Sequence, residues 1–189
     1  MAVPLVEPYD MSAAAKLPRN TVAWRVDAQR AVLVVHDMQD RIVASFDGSR
    51  SPAIELVHNV GKLRDTCRDV AVPIVYTLRG RQAGEPVYVP RPCDLVVDAG
   101  AGEPYAALRD VLDAGGRDQL VLVGVRAHAA CLMAAGGSYL AGTQVFAVAD
   151  AIADLSLDEH RQAVRSAAEY GAMTTTTGRV IGELLGVLA

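Results

Sequence analysis

Arg30-Ala31-Val32-Leu33-Val34-Val35-His36-Asp37-Met38-Gln39-Asp40 runs from apolar, mostly β-branched residues straight into polar and ionisable ones. A run of that length, apolar at every position, is a strand covered on both faces, as in a parallel sheet, and it delivers its last side chains to the sheet edge. Asp37 is the first carboxylate to emerge. It either caps the turn or serves chemistry, and the second reading requires later strands to bring complementary groups to the same edge.

The rest of the chain supplies such strands. Ile54, Val57, Val60, Leu63 and Cys67 recur at intervals of three and four, so 53–69 reads as a helix with one buried face. Residues 73–78 form a second strand that ends at Arg79, completing a strand-helix-strand unit. Asp94 to Val97 is a short third strand, 104–114 a helix closed by Gly115-Gly116, and 119–125 a fourth strand. Arg126 then opens a helix rich in small residues that contains His128, Ala130 and Cys131. Residues 144–149 read as a fifth strand ending at Asp150. Ser156 and Glu159 have capping-box spacing for a helix to about Tyr170, 173–177 can add a sixth strand, and Val180, Ile181, Leu184 and Leu185 mark a final helix. This alternation predicts a three-layer α/β/α sandwich around a six-stranded parallel sheet, Rossmann-like in its winding.

With 189 residues, 51% of them hydrophobic, the chain can bury the core of one domain spanning 1–189. Residues 1–29 carry Pro4, Pro18, the Ala13-Ala14-Ala15 run and Trp24 without a sustained period, and read as an N-terminal arm with a short helix that lies against the body, a surface tether first and otherwise a lid or dimer contact. Arg41 to Pro52 reads as a loop in which Phe46 offers an apolar wall, and 79–93, broken by glycines and prolines, as a second loop at the sheet edge.

A net charge of -4 with interspersed signs offers no basic stripe, so nucleic acid is not an expected partner and a small molecule is. No stretch is long and apolar enough for a membrane span, the start does not resemble a secretion signal, and Cys67, Cys93 and Cys131 form no disulfide or metal-ligand framework. These features predict a cytoplasmic protein. The glycines at 100 and 102 lack the order of a dinucleotide fingerprint or a nucleotide loop, and His36 and His128 have no metal-ligand spacing. No cofactor or metal is expected.

What remains is acid-base chemistry on an anion. Asp37 can give or take a proton, an apolar wall favouring the acid and a nearby cation the carboxylate. Arg79 and Arg126 follow strands and can orient a substrate carboxylate, or else lie on the surface. Cys131 at a helix start is either a reactive or a buried thiol, and strand alternation directs His36 and Asp37 to opposite faces.

The combined segments 30–39, 116–128 (Gly116 to His128) and 148–154 (Val148-Ala149-Asp150-Ala151-Ile152-Ala153-Asp154) strongly resemble the isochorismatase family, and in particular the isochorismatases of siderophore and phenazine biosynthesis; the arm with Leu17-Pro18 and Trp24 resembles theirs too. The resemblance implies a hydrolase, or a repurposed lyase, cyclase or isomerase, of secondary-metabolite or antibiotic biosynthesis that forms homodimers or larger oligomers, with Asp37 as general acid or base and a pocket lined by Gln39, Phe46, Arg79, Arg126, Ala130 and Cys131; a true isochorismatase that releases pyruvate and a non-catalytic binding or scaffold protein on the same fold are the alternatives. The wider family pairs an aspartate and a lysine with a nucleophilic cysteine. Here Ala130 stands at the cysteine position, where true isochorismatases have glycine. The only lysines are Lys16 and Lys62, so Asp98 or Ala99 falls where the family lysine belongs. Arg79 replaces a glutamine and Arg126 a tyrosine. The resemblance therefore implies non-covalent acid-base chemistry with positive charge relocated around Asp37, and a cis peptide at Val125-Arg126.

Overall fold

A computed structural model describes residues 5–11, 16–80, 83–98, 104–126 and 142–187. The strands are β1 (Ala31–His36), β2 (Ile74–Leu78), β3 (Leu95–Asp98), β4 (Gln119–Val125), β5 (Gln144–Ala153) and β6 (Met173–Thr175). Helices α1 (Asp40–Val43), α2 (Ala53–Asp69), α3 (Pro104–Gly115), α4 (Leu157–Glu169) and α5 (Thr177–Leu184) lie between and after them. The strands form one sheet in the order β3-β2-β1-β4-β5-β6, and every pairing is parallel.

Alternate residues of the central strands feed opposite layers. Leu33, Val35, Tyr76, Val123 and Phe146 pack with Leu56, Val60 and Leu63 of α2 and Val180 of α5. Val32, Val34, Leu120 and Leu122 meet Leu108 and Leu112 of α3, while Val145 and Ala147 meet Ala163, Val164 and Ala167 of α4. The helices thus cover both faces, giving the three-layer sandwich. In α4, the Ser156 hydroxyl accepts a hydrogen bond from the Glu159 N–H at 3.2 Å, so one exposed helix-terminal donor is capped as the spacing predicts.

The amino edge of the sheet is closed by polar groups whose capacity is used. Buried Gln119 accepts from Asp27 N–H and donates to Arg25 O and Gln144 Oε1, each at 2.8 Å. Arg30 forks onto Asp118 at 2.8 and 2.7 Å.

Several local expectations change. The arm is more than a surface tether: Val6, Tyr9, Met11 and Val26 are buried in the main core, and Trp24 packs edge-on against Phe146. The Asn20 side chain, moreover, pairs with Thr174 backbone groups at 2.8 and 2.9 Å, as an added strand would. The 41–52 loop begins inside α1. Strand β5 runs past Asp150 to Ala153 because its register with β4 shifts between Leu122 and Gly124, absorbing an irregularity that a period-two reading takes for a strand end. Strand β6 stops at Thr175, and Thr177 enters α5, its N–H and hydroxyl donating to Asp150 Oδ1 at 2.7 and 2.9 Å. The expected small-residue helix, with His128, Ala130 and Cys131, the Ala13-Ala14-Ala15 run and the Gly100–Gly102 turn lie outside the described residues.

Candidate active site

The strand order reverses direction between β1 and β4, and in such sheets the crevice beyond the carboxyl ends at that point takes the ligand. Asp37 follows β1 there and Arg126 follows β4, both with left-handed backbones, at φ 49° and 61°. The expected Val125-Arg126 cis bond is not found; the one cis peptide among the described residues is Ser51-Pro52. The turn after β4 is instead made by the positive φ of Arg126.

The two strand ends are pressed together. Gly124 has φ 122°, and a Cβ built on it would lie 2.0 Å from the His36 carbonyl oxygen, so only glycine lets β4 approach β1 so closely. Asp37 N–H donates to Thr77 O of β2 at 2.9 Å, which fixes the residue as it leaves the sheet.

Asp37 is fully buried. Its Oδ2 accepts a hydrogen bond from Arg79 Nε at 2.6 Å, whereas buried Oδ1 has no partner among the described residues. Arg79 is the cation that stands beside the carboxylate in a chain whose lysines are elsewhere. His36 Nε2 lies 3.6 Å from the same Oδ2. Alternation had placed these two side chains on opposite faces, but the strand ends at His36, and the left-handed turn at Asp37 swings its carboxylate back toward the imidazole.

His36 Nδ1 shares a 2.7 Å hydrogen bond with Thr77 Oγ1, and Nε2 has no partner within hydrogen-bond reach among the described residues. Burial pushes the imidazole below its ordinary value of 6.5, Asp37 opposes that shift, and Arg79 and Arg126 reinforce it. The sequence marks His36 only as a possible metal ligand and as the neighbour of Asp37, and does not mark Thr77. The signal that joins them is register: His36 and Thr77 are paired across β1 and β2.

Gln39 is buried and spans the strand end and the 79–93 loop. Its amide donates to the Arg79 and Gly84 carbonyls at 2.8 Å each and accepts from Arg79 N–H at 2.7 Å. The loop is further clipped to α1, Asp40 N–H donating to Glu85 O at 2.8 Å and Glu85 N–H to Asp40 Oδ1 at 3.1 Å. Gln39 thereby fixes the backbone from which Arg79 reaches Asp37. Phe46 sits within the main core at 3% exposure.

Arg126 Nε is buried without a partner among the described residues. Ala130 and Cys131 fall outside those residues. Cys67 faces the core, where burial pushes its thiol up to about 12, and Cys93 is exposed. Among the described residues no group of His, Cys, Asp and Glu is arranged to hold a metal ion.

The result is a carboxylate anchored through one oxygen and without a partner at the other among the described residues. The His36 imidazole and the Arg79 guanidinium stand beside it, and the charge of Arg126 acts on the same imidazole. Such a site can exchange one proton with a bound group and offset negative charge on a ligand.

A model of the isochorismatase domain matches residues 85–179. The chain is 35% identical to the phenazine biosynthesis protein PhzD of Pseudomonas fluorescens, over 95% of this chain and 98% of that one. It is 33% identical to the isochorismatase of Bacillus subtilis (strain 168), over 97% of this chain and 67% of that protein. Among solved structures, the octameric hydrolase encoded by ycaC in Escherichia coli superposes with a TM-score of 0.71 at 21% identity, covering 88% of this chain and 85% of that one, which shows a common fold.

Proposed function

The chain belongs to the isochorismatase family, and on that premise we propose that it is a non-covalent, isochorismatase-like enzyme of secondary metabolism that uses Asp37 as general acid and base on a small anionic or oxygen-rich ring compound. The observation that supports this reading is the division of the Asp37 carboxylate, with Oδ2 held by Arg79 and Oδ1 buried without a partner among the described residues. A buried aspartate with a purely structural role uses both of its oxygens in hydrogen bonds.

In this reading Arg79 does the work of the missing lysine. It offsets the charge of Asp37 and is held in place by Gln39. Arg126, whose Nε has no protein partner among the described residues, receives the substrate carboxylate. An anion that also draws on Arg79 weakens the Arg79–Asp37 pair, and a buried carboxylate losing its cation takes up a proton. Asp37 would then hold that proton at Oδ1, facing the ligand. Phe46, Ala130 and Cys131 complete the proposed pocket, and no step passes through a sulfur nucleophile.

A second reading is vinyl-ether hydrolysis as in the isochorismatases: Asp37 protonates the enolpyruvyl ether, water adds to the resulting oxocarbenium carbon, and pyruvate leaves. The 35% identity to PhzD over 95% of this chain supports it. A fold kept only for binding a small molecule would give no product at all. We further propose a cytoplasmic homo-oligomer, dimer or larger. No described helix is long and apolar enough to cross a membrane.

The test is to offer the purified chain isochorismate and related oxygenated ring carboxylates, following pyruvate and all new products. Product is expected, with pyruvate if the second reading holds, and Cys131→Ser should cost far less turnover than Asp37→Asn, since no step uses the thiol. Asp37→Asn should cost roughly 10²–10⁴-fold. Full turnover by Asp37→Asn would refute the assignment.

A further inference from the structure

Thr77 and His36 form a buried pair in which one of the two proton arrangements leaves fewer polar atoms opposed or unpaired among the described residues. Thr77 Oγ1 is 2.7 Å from His36 Nδ1 and has no other hydrogen-bond partner among the described residues. A threonine hydroxyl carries one proton. If Nδ1 were the protonated ring nitrogen, it would donate to Thr77 and leave the hydroxyl proton buried without an acceptor. The Nε2 lone pair would then face Asp37 Oδ2 at 3.6 Å, two electron-rich atoms side by side. If Thr77 donates to Nδ1 instead, its proton is used and the ring proton moves to Nε2, on the side of the carboxylate.

We propose that His36 is a positioning residue for Asp37: an uncharged imidazole, held by Thr77 in the Nε2–H tautomer, that directs its N–H toward Oδ2 and keeps Oδ1 turned to the ligand. At 3.6 Å the contact is electrostatic and not yet a hydrogen bond. It becomes important when a ligand anion engages Arg79, because Nε2–H is then the donor remaining beside Oδ2. The burial of His36 at 2% exposure and the nearby Arg79 and Arg126 keep the ring neutral, so it adds no third cation to the site. The role in catalysis rests on the acid-base reading of Asp37; the tautomer does not.

The experiment is long-range ¹H–¹⁵N correlation of the labelled, ligand-free full chain at pH 7, with ¹³C detection of the Asp37 carboxyl. His36 Nε2 should resonate as a protonated nitrogen and Nδ1 as an unprotonated one. Thr77→Val should draw the two nitrogen signals toward each other as the tautomer is released and should shift the Asp37 carboxyl signal, and Thr77→Ser should restore both. An Nδ1–H tautomer or a doubly protonated ring in the wild type overturns the proposal, even if Thr77→Val fails to fold. So does an Asp37 carboxyl signal that stays in place when the tautomer is released. The spectra contain no substrate, so their failure leaves the acid-base role of Asp37 to be decided separately by turnover of Asp37→Asn.

Discussion

Two buried histidines, His36 and His160, differ in what their ring nitrogens reach. His160 Nε2 donates to the Ala149 carbonyl at 3.0 Å, which leaves Nδ1 as an acceptor that shares the Tyr9 hydroxyl proton, at 3.1 Å, with the Asp154 carbonyl at 3.2 Å. Both nitrogens are used on groups that never leave, and the result ties the arm to β5 and α4. His36 is as deeply enclosed, yet among the described residues only Nδ1 has a partner, and Nε2 faces a carboxylate with one oxygen likewise unpartnered among them. Burial pushes both imidazoles down from 6.5. Burial alone therefore does not separate structure from function; the unmade hydrogen bonds do.

The largest effect expected on this contrast comes from Gly124→Ala. The added carbon meets the His36 carbonyl at 2.0 Å in a left-handed backbone, so it should cost about 4 kcal/mol and dismantle the His36 side alone. Chemical denaturation measures the loss, and the Tyr9–His160 contact, followed by NMR, should survive in whatever fraction folds.

Arg79→Gln comes next. It leaves the fully buried Asp37 without its cation, and because the Arg79 side chain is 38% exposed the cost should fall to about 2–3 kcal/mol, below that of a wholly buried pair. Asp37→Asn in the same chain should recover most of that stability, since it removes the charge that was stranded. Equal losses in the single and double variants would mean that the pair carries no coupling.

Tyr9→Phe removes the hydroxyl that meets His160 Nδ1 at 3.1 Å and accepts from the Asp154 N–H at 3.2 Å, and should cost about 1–2 kcal/mol without altering ligand binding at Asp37. A change in turnover comparable to that of Asp37→Asn would break the division between the two clusters.

The smallest effect is in the pH dependence of stability. The unfolded chain binds protons on these histidines more readily than the folded one does, so their contribution is whole above pH 6.5 and is lost as the pH falls from 6.5 through the lower folded values. His160→Gln should flatten that acid limb. Asp37→Asn, by removing the attraction that opposes the shift in His36, should steepen it.

Helix α2 and strands β1, β2 and β4 were legible because their apolar periods are long and uninterrupted. The site was legible only in part. Asp37, Arg79 and Arg126 could be found as polar residues just beyond strands, but the side on which Asp37 emerges depends on a φ of 49°, which no period encodes. His160 could have been placed inside from its spacing to Ala163, Val164 and Ala167 on α4. Tyr9 could not, since the arm has no periodicity and the hydroxyl's partners lie 145 and 151 residues away. Gln39 was expected to touch the ligand, yet its amide is engaged by the backbone of a loop whose path depends on tertiary contacts.

The most direct measurement is a crystal structure of the Asp37→Asn chain, slow enough to retain its ligand, with isochorismate or the ring carboxylate that the wild type consumes. The reacting ring atom or its oxygen should lie about 3–3.5 Å from the side-chain position of Oδ1, with the ligand carboxylate on Arg126. A ligand seated away from residue 37, or one whose carboxylate contacts neither Arg126 nor Arg79, would contradict the account.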